Sequence, residues 1–168
     1  EDKKENDVQK GRVQKDLPFF YVKIVFMTAK SLKETEKIAK EFIKNLIPNK
    51  DTALVITLYG ELGSGKTTFV KYIAKTFGLE KTITSPTFVI EKIYKIEDKN
   101  FDYLIHIDAY RLKEGEELKQ LGWKEILENP KNLIFIEWPE NVKDILPENK
   151  QEIHFKFIDK NTRENKVK

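Results

Sequence analysis

Gly60-Glu61-Leu62-Gly63-Ser64-Gly65-Lys66-Thr67 restricts the fold of this chain more tightly than any other stretch of it. The octapeptide follows Ala53 to Tyr59, a short, nearly all-apolar run bounded by polar residues. That is the pattern of a strand buried on both faces of a parallel sheet. From Lys66 onward, Phe69, Val70, Ile73, Ala74 and Phe77 recur at helical spacing, and Gly78 can take the left-handed conformation that ends a helix. Strand, glycine loop and helix in this order argue for an α/β fold rather than an all-α or all-β one. The spacing of Gly, four residues, Gly-Lys and then Ser or Thr is also that of a phosphate-binding loop. Its glycines let the backbone curl until successive N–H groups face phosphate oxygens, and the helix beginning at Lys66 presents its positive dipole end to the same anion. Lys66 is placed to hold β and γ phosphates. The Thr67 hydroxyl is placed to ligate Mg²⁺, a hard cation that bridges phosphate oxygens. The competing reading is a glycine-rich turn that only joins strand to helix.

The alternation of strands and helices continues on both sides of this unit. Phe19 to Met27 reads as a strand, and Ser31-Leu32-Lys33-Glu34 as a capping box that starts a helix. Ile38, Ala39, Phe42, Ile43, Leu46 and Ile47 supply the buried stripe of that helix, and Pro48-Asn49 stops it. Further strands are expected at Thr87 to Tyr94, Tyr103 to Ile107, Leu133 to Trp138 and Ile153 to Ile158. Helical segments are expected near Glu116 to Leu127 and Asn141 to Leu146. An apolar content of 39%, with 11 Phe spread along the chain, is enough for one core, and no internal repeat is visible. We therefore expect one three-layer α/β domain over residues 19–158, with a mainly parallel central sheet and flanking helices. Residues 1–18 hold five acidic and five basic side chains with little apolar content, which reads as a flexible charged N-terminal extension. Residues 159–168 read as a polar C-terminal tail.

Charge and residue usage narrow the chemistry. The 31 Lys plus Arg against 28 Asp plus Glu leave a formal +3, which lends no support to a broad nucleic-acid surface. No cysteine is present, so disulfides, thiolate catalysis and Cys-ligated zinc are excluded. No apolar run approaches the roughly 20 residues of a membrane span, and the N-terminus lacks a secretory pattern, so a cytoplasmic protein is expected. Only Arg12, Arg111 and Arg163 are arginines among the 31 basic residues. An arginine here is an unusual choice.

A phosphate loop needs acidic partners that position a metal and an attacking water, and these sit at the ends of neighbouring apolar strands. Leu104-Ile105-His106-Ile107-Asp108 and Leu133-Ile134-Phe135-Ile136-Glu137 each deliver a carboxylate at such an end, where ligands of open α/β sheets bind. Either acid alone could be a loop residue or a helix cap. Arg111, three residues after Asp108, can grip a carboxylate or phosphate through two bonds as Lys cannot, or it is ordinary drift at an exposed position. His106 shares a strand face with Asp108 and reads as a satisfied strand residue more readily than as a catalyst. Ser85-Pro86-Thr87-Phe88 is either a segment that senses a γ-phosphate or a proline turn entering a strand. Trp138 either covers a nucleotide or belongs to the core or rim.

Taken together, Gly60 to Thr67, Ser85-Pro86-Thr87-Phe88, His106-Ile107-Asp108-Ala109-Tyr110-Arg111-Leu112, Glu116-Glu117-Leu118 to Leu121-Gly122 and Ile136-Glu137-Trp138-Pro139-Glu140 resemble the TsaE (YjeE) family in order and spacing. The resemblance covers roughly residues 20–158. It implies a P-loop NTPase-like domain, an ATPase required for making N6-threonylcarbamoyladenosine in tRNA, acting with a TsaB–TsaD complex that holds the RNA. It further implies that Lys66 contacts phosphates, that Thr67, Asp108 and Glu137 surround Mg²⁺, and that Trp138 lies beside the nucleotide.

We therefore expect Gly60, Glu61, Leu62, Gly63, Ser64, Gly65, Lys66, Thr67, Thr68 and Trp138 to bind ATP, and Lys66, Asp108 and Glu137 to carry γ-phosphate hydrolysis. tRNA is expected to be reached only through partners, and self-association is left open. Two other classes compete. A small-molecule P-loop kinase would need several arginines in its lid and acceptor site, and the folded middle of this chain holds only Arg111. A nucleotide-gated binding module would hydrolyse ATP only incidentally.

Overall fold

The apolar run before the glycine loop becomes the middle of a sheet. The computed structural model describes residues 25–29, 31–79, 89–157 and 163–167. In chain order these form β1 (Val25–Ala29), α1 (Leu32–Lys44), β2 (Leu54–Tyr59), α2 (Lys66–Thr76), β3 (Glu91–Lys95), β4 (Tyr103–Asp108), α3 (Gly115–Gln120), α4 (Trp123–Leu127), β5 (Asn132–Glu137), β6 (Gln151–Phe157) and β7 (Arg163–Val167). Short 3₁₀ segments run from Ala109–Arg111 and Pro139–Ile145. The seven strands lie in the order β1-β7-β6-β2-β5-β4-β3. The inner pairs β6-β2, β2-β5 and β5-β4 are parallel, and antiparallel strands close both flanks.

Strict alternation of side chains across this sheet produces three layers. Leu54, Ile56 and Leu58 of β2, Leu133 and Phe135 of β5 and Leu104 of β4 pack with Ala39 of α1 and with Phe69, Val70, Ile73 and Ala74 of α2. Their neighbours Val55, Ile105, Ile107, Ile134 and Ile136 point to the other face, against Leu118 of α3, Trp123 and Ile126 of α4 and Val142. The run was apolar at nearly every position because both faces are covered. The sheet is thus the mainly parallel, helix-flanked α/β architecture expected from the sequence. Among the described residues no helix is long and apolar enough to cross a membrane.

Local signals set most helix ends. Ser31 Oγ accepts the Glu34 N–H at 3.2 Å, as the capping pattern requires. Gly78, at φ 77°, ends α2 with its N–H on Lys75 O and the Leu79 N–H on Ala74 O, a paired cap that a left-handed residue makes possible. Several expectations need correction. α1 stops at Lys44, so Ile47 falls outside it and is 67% exposed rather than part of the buried stripe. The segment Glu116 to Leu127 is two short helices, because left-handed Gly122 (φ 86°) separates them. The helical stretch near Asn141 is 3₁₀ and starts earlier, at Pro139.

The strand expected at Thr87 to Tyr94 is observed as β3, from Glu91, and the first strand is observed over Val25–Ala29. Residues 1–24 and Ser85-Pro86-Thr87-Phe88 lie outside the described residues. The segment read as a polar tail contributes β7, which pairs with β1 on one side and β6 on the other. Its sequence, Arg-Glu-Asn-Lys-Val, has no apolar alternation, so the backbone ladder makes a strand that side-chain pattern conceals.

Phe69 joins α1, α2 and β6. Its ring is fully buried and meets Phe42 at 5.7 Å and Phe155 at 5.6 Å between centroids, both edge to face. Phe69→Ala should therefore cost about 3–5 kcal/mol. Urea unfolding followed by circular dichroism checks this, and a loss below about 1 kcal/mol would contradict the packing described.

Candidate phosphate-binding site

The two acids reach one place because β4 and β5 are parallel and in register. Asp108 pairs with Glu137, and Glu137 pairs with Leu58 on β2, so all three lie in one row two residues before the glycine loop begins. Parity along each strand puts His106, Asp108 and Glu137 on the face that carries α2. The N-terminus of α2 stands directly above them.

The loop between β2 and α2 turns through three left-handed glycines, Gly60 at φ 140°, Gly63 at φ 78° and Gly65 at φ 106°. At Gly60 the constraint is also one of space, since a Cβ there would lie 2.5 Å from Phe155 O and 2.9 Å from Ser64 Oγ. No side chain caps α2, so the N–H groups of its first turn are left for an anion. Lys66, only 4% exposed, bends back over its own loop and donates to Gly60 O at 2.6 Å and Glu61 O at 3.1 Å. An ammonium has three N–H donors. These bonds use two, and Nζ also lies 3.9 Å from the ring centroid of Trp138, on its face. Burial lowers the Lys66 pKa, and the negative charges of Glu137, Glu140 and Asp108 oppose that shift.

Trp138 leaves β5 rather than extending it. It sits at φ 58°, ψ 49°, immediately before Pro139. A left-handed conformation costs a non-glycine residue about 1–3 kcal/mol, and a following proline restricts the backbone further. The surrounding packing holds it there, because the ring lies against the α3/α4 core and 5.1 Å from Tyr110. Ile90, also left-handed at φ 65°, places its carbonyl to accept the Asp108 N–H at 2.8 Å. Asp108 Oδ1 in turn accepts the Tyr110 N–H at 3.1 Å.

The acids differ in their bonding. Glu137 is 2% exposed, and each of its carboxylate oxygens accepts one hydrogen bond. Thr67 Oγ1 donates to Oε2 at 2.9 Å, and His106 Nε2 approaches Oε1 at 2.8 Å. Because the Thr67 hydrogen points to Glu137, its oxygen lone pairs are left for a cation. With the Asp108 and Glu137 carboxylates this makes a set of hard oxygen donors, which fits Mg²⁺ shared with phosphate oxygens.

Leu62 through Thr68, Asp108, Tyr110, Glu137 and Trp138 line a single cleft of about 230 Å³. That is below the roughly 300–1,000 Å³ of pockets for drug-sized ligands, and suits a phosphate chain. Gly60 and Glu61, counted as binding residues from the motif, do not line it; they hold Lys66 through their carbonyls. Ser64 Oγ is buried without a partner among the described residues. Two residues were missed. Tyr110 is half-exposed at the rim, and only the parity of the chain after Asp108 pointed to it. His106 was read as a strand residue, and its place on the Asp108 face was the signal. Arg111 ends the exposed 3₁₀ turn after Asp108 and does not line the cleft.

Comparison with known proteins gives one consistent result. The family described as "Threonylcarbamoyl adenosine biosynthesis protein TsaE" matches residues 29–166. A protein of that name from Rickettsia typhi is 42% identical over 137 residues, covering 81% of this chain and 89% of its own. Its namesake from Bacillus subtilis is 34% identical over 110 residues, covering 66% of each chain. Among solved structures, Bacillus subtilis YdiB superposes with a TM-score of 0.66 at 30% identity, covering 89% of this chain and 87% of its own. The glycine loop, the paired strand-end acids and the matched span together assign the fold as P-loop NTPase-like, and the chain belongs to the TsaE family.

Proposed function

We propose that this chain is a Mg²⁺-dependent ATPase that serves the synthesis of threonylcarbamoyladenosine in tRNA together with a TsaB–TsaD complex. The observation that carries the reading is the hydrogen bond from Thr67 to Glu137 inside a cleft that also holds Lys66 and Asp108. A phosphate loop needs such an acid beside its hydroxyl to share a metal with the nucleotide. The relatives' names support the pathway, since they are called tRNA threonylcarbamoyladenosine biosynthesis proteins.

The residues divide the work. The first-turn amides of α2 and the Lys66 ammonium compensate the charge of the β and γ phosphates. Lys66 keeps its two carbonyl bonds, so an arriving phosphate oxygen competes with the Trp138 ring for the third side of the ammonium. Bound Mg²⁺ would be held through Thr67, Asp108 and Glu137 and would supply further charge neutralisation. The same two carboxylates are placed to orient the attacking water. Among the described residues the cleft is lined by one cationic side chain, Lys66, so hydrolysis by the protein alone is slow and the partner complex completes the site.

Lys66→Ala should weaken ATP binding at least about tenfold and abolish hydrolysis, because it removes the one buried cation that the described residues give the cleft. Calorimetric titration with ATP measures this, and unchanged affinity would remove the loop assignment. The depressed Lys66 pKa gives a pH dependence with a definite sign. Lys66 must be charged to pair with phosphate, so affinity for ATP falls as pH rises through its pKa in the free protein, which lies below the ordinary 10.5. Phosphate raises that pKa again, so in the interval between the two values binding takes up a proton, visible as a binding enthalpy that changes with buffer. A flat alkaline profile in wild type, the same as in Lys66→Arg, would contradict it.

The pathway assignment is tested with the partners. Adding TsaB and TsaD from the same source should stimulate hydrolysis, and Glu137→Ala should bind ATP but stall tRNA modification after one round. If Glu137→Ala sustains full multiple turnover, hydrolysis is incidental and the protein is a nucleotide-gated binding module. Phosphate transferred to a small acceptor, with little released free, would make it a kinase.

A further inference from the structure

His106 is a fully buried polar group beside this site, and the proposed hydrolysis leaves it without a task. It sits in the middle of β4, between Ile105 and Ile107, opposite Phe135 on β5, and its exposure is 0%. An apolar side chain would suit these surroundings better. The imidazole makes one hydrogen bond, to Glu137, and its Nδ1 has no partner among the described residues. An unsatisfied buried polar atom destabilises the fold, so the residue is not explained by stability.

Glu137 supplies the explanation. Its carboxylate is almost fully buried, and among the described residues no lysine or arginine lies within ion-pair distance of it. Without His106 it would retain only the Thr67 hydroxyl, through Oε2, and could rotate about its last bond. The Nε2 contact fixes Oε1, so Oε2 is the oxygen presented to Thr67 and the cleft. A carboxylate only accepts, so the shared hydrogen is on Nε2.

We propose that His106 is a positioning residue: through Nε2–H it locks the Glu137 carboxylate in the one orientation that serves Thr67, the metal and the attacking water. The inference rests on the ATPase reading above. Partners that orient a ligating carboxylate are typically worth 10–100-fold in metal affinity or activity. His106 itself bonds to Glu137 and not to Lys66 or the loop, so nucleotide binding without metal should depend on it little.

The test compares His106→Leu, which removes the donor at similar bulk, with His106→Gln, whose side-chain N–H reaches about as far as Nε2. Both are checked for folding by circular dichroism. His106→Leu should lower kcat 10–100-fold, lower the apparent Mg²⁺ affinity in the presence of ATP by a similar factor, and leave ATP binding in EDTA within about twofold of wild type. His106→Gln should recover most of both losses. Wild-type kcat in folded His106→Leu overturns the proposal. So does equal loss in both folded variants, since the donor would then not matter, or loss of ATP binding in EDTA, which marks a collapsed cleft.

If His106→Leu does not fold, His106→Gln is judged against His106→Asn, which is shorter and should show the loss. Nitrogen-15 NMR of the wild-type protein without ligand gives an independent reading: hydrogen on Nε2 is expected, and a bare Nε2 overturns the proposal. Absence of hydrolysis in wild type with its partners would remove the ATPase reading alone and leave this NMR result to decide on His106.

Discussion

Parallel pairing of β4, β5 and β2 in one register is the constraint on which the site depends. It brings Asp108, Glu137 and Leu58 level at the carboxyl edge of the sheet, immediately beneath the turn that starts α2. A slip of one residue in either pairing would turn an acid to the opposite face, where the α3/α4 core has no place for a charge. The register is itself held by apolar side chains on both faces. The same residues that make the core therefore fix the separation between carboxylates and loop.

Strain is concentrated where that edge meets the cleft. Among the described residues two that are not glycine, Ile90 and Trp138, are left-handed, and each adjoins an acid. Ile90 delivers a carbonyl to the Asp108 N–H, and Trp138 follows Glu137 and turns its ring onto Lys66. Each costs about 1–3 kcal/mol, which the buried sheet behind them must offset. The outcome is a pre-formed cleft in which the acids, the lysine and an aromatic cover are already in place.

The readable parts of the sequence were those where one side chain decides the outcome locally. Ser31 announced the start of α1, Gly78 the end of α2, and the unbroken apolar run of β2 the burial of both its faces. The octapeptide fixed the loop geometry because its left-handed positions fall on glycine. What the sequence concealed depends on residues distant along the chain. β7 is polar and becomes a strand only because β1 and β6 offer it ladder partners on both sides. The left-handed turn at Trp138 has no local signal, since tryptophan before proline ordinarily argues for extended backbone. His106 looked like filler because the atom that explains it belongs to residue 137, two strand positions and one strand away.

Scarcity of arginine, visible from composition, takes on a more specific meaning beside this geometry. Transferring a phosphoryl group to water spreads negative charge over its oxygens, and a site that works alone commonly adds an arginine to meet it. Here Lys66 is the buried cation of the cleft, and two of its three donors are committed to Gly60 and Glu61. Arg111, three residues after Asp108, is exposed and away from the cleft lining. Among the described residues the cleft thus holds two buried carboxylates, Asp108 and Glu137, against one lysine whose pKa burial already depresses. Such a balance favours a divalent cation together with a phosphate chain over a phosphate chain alone.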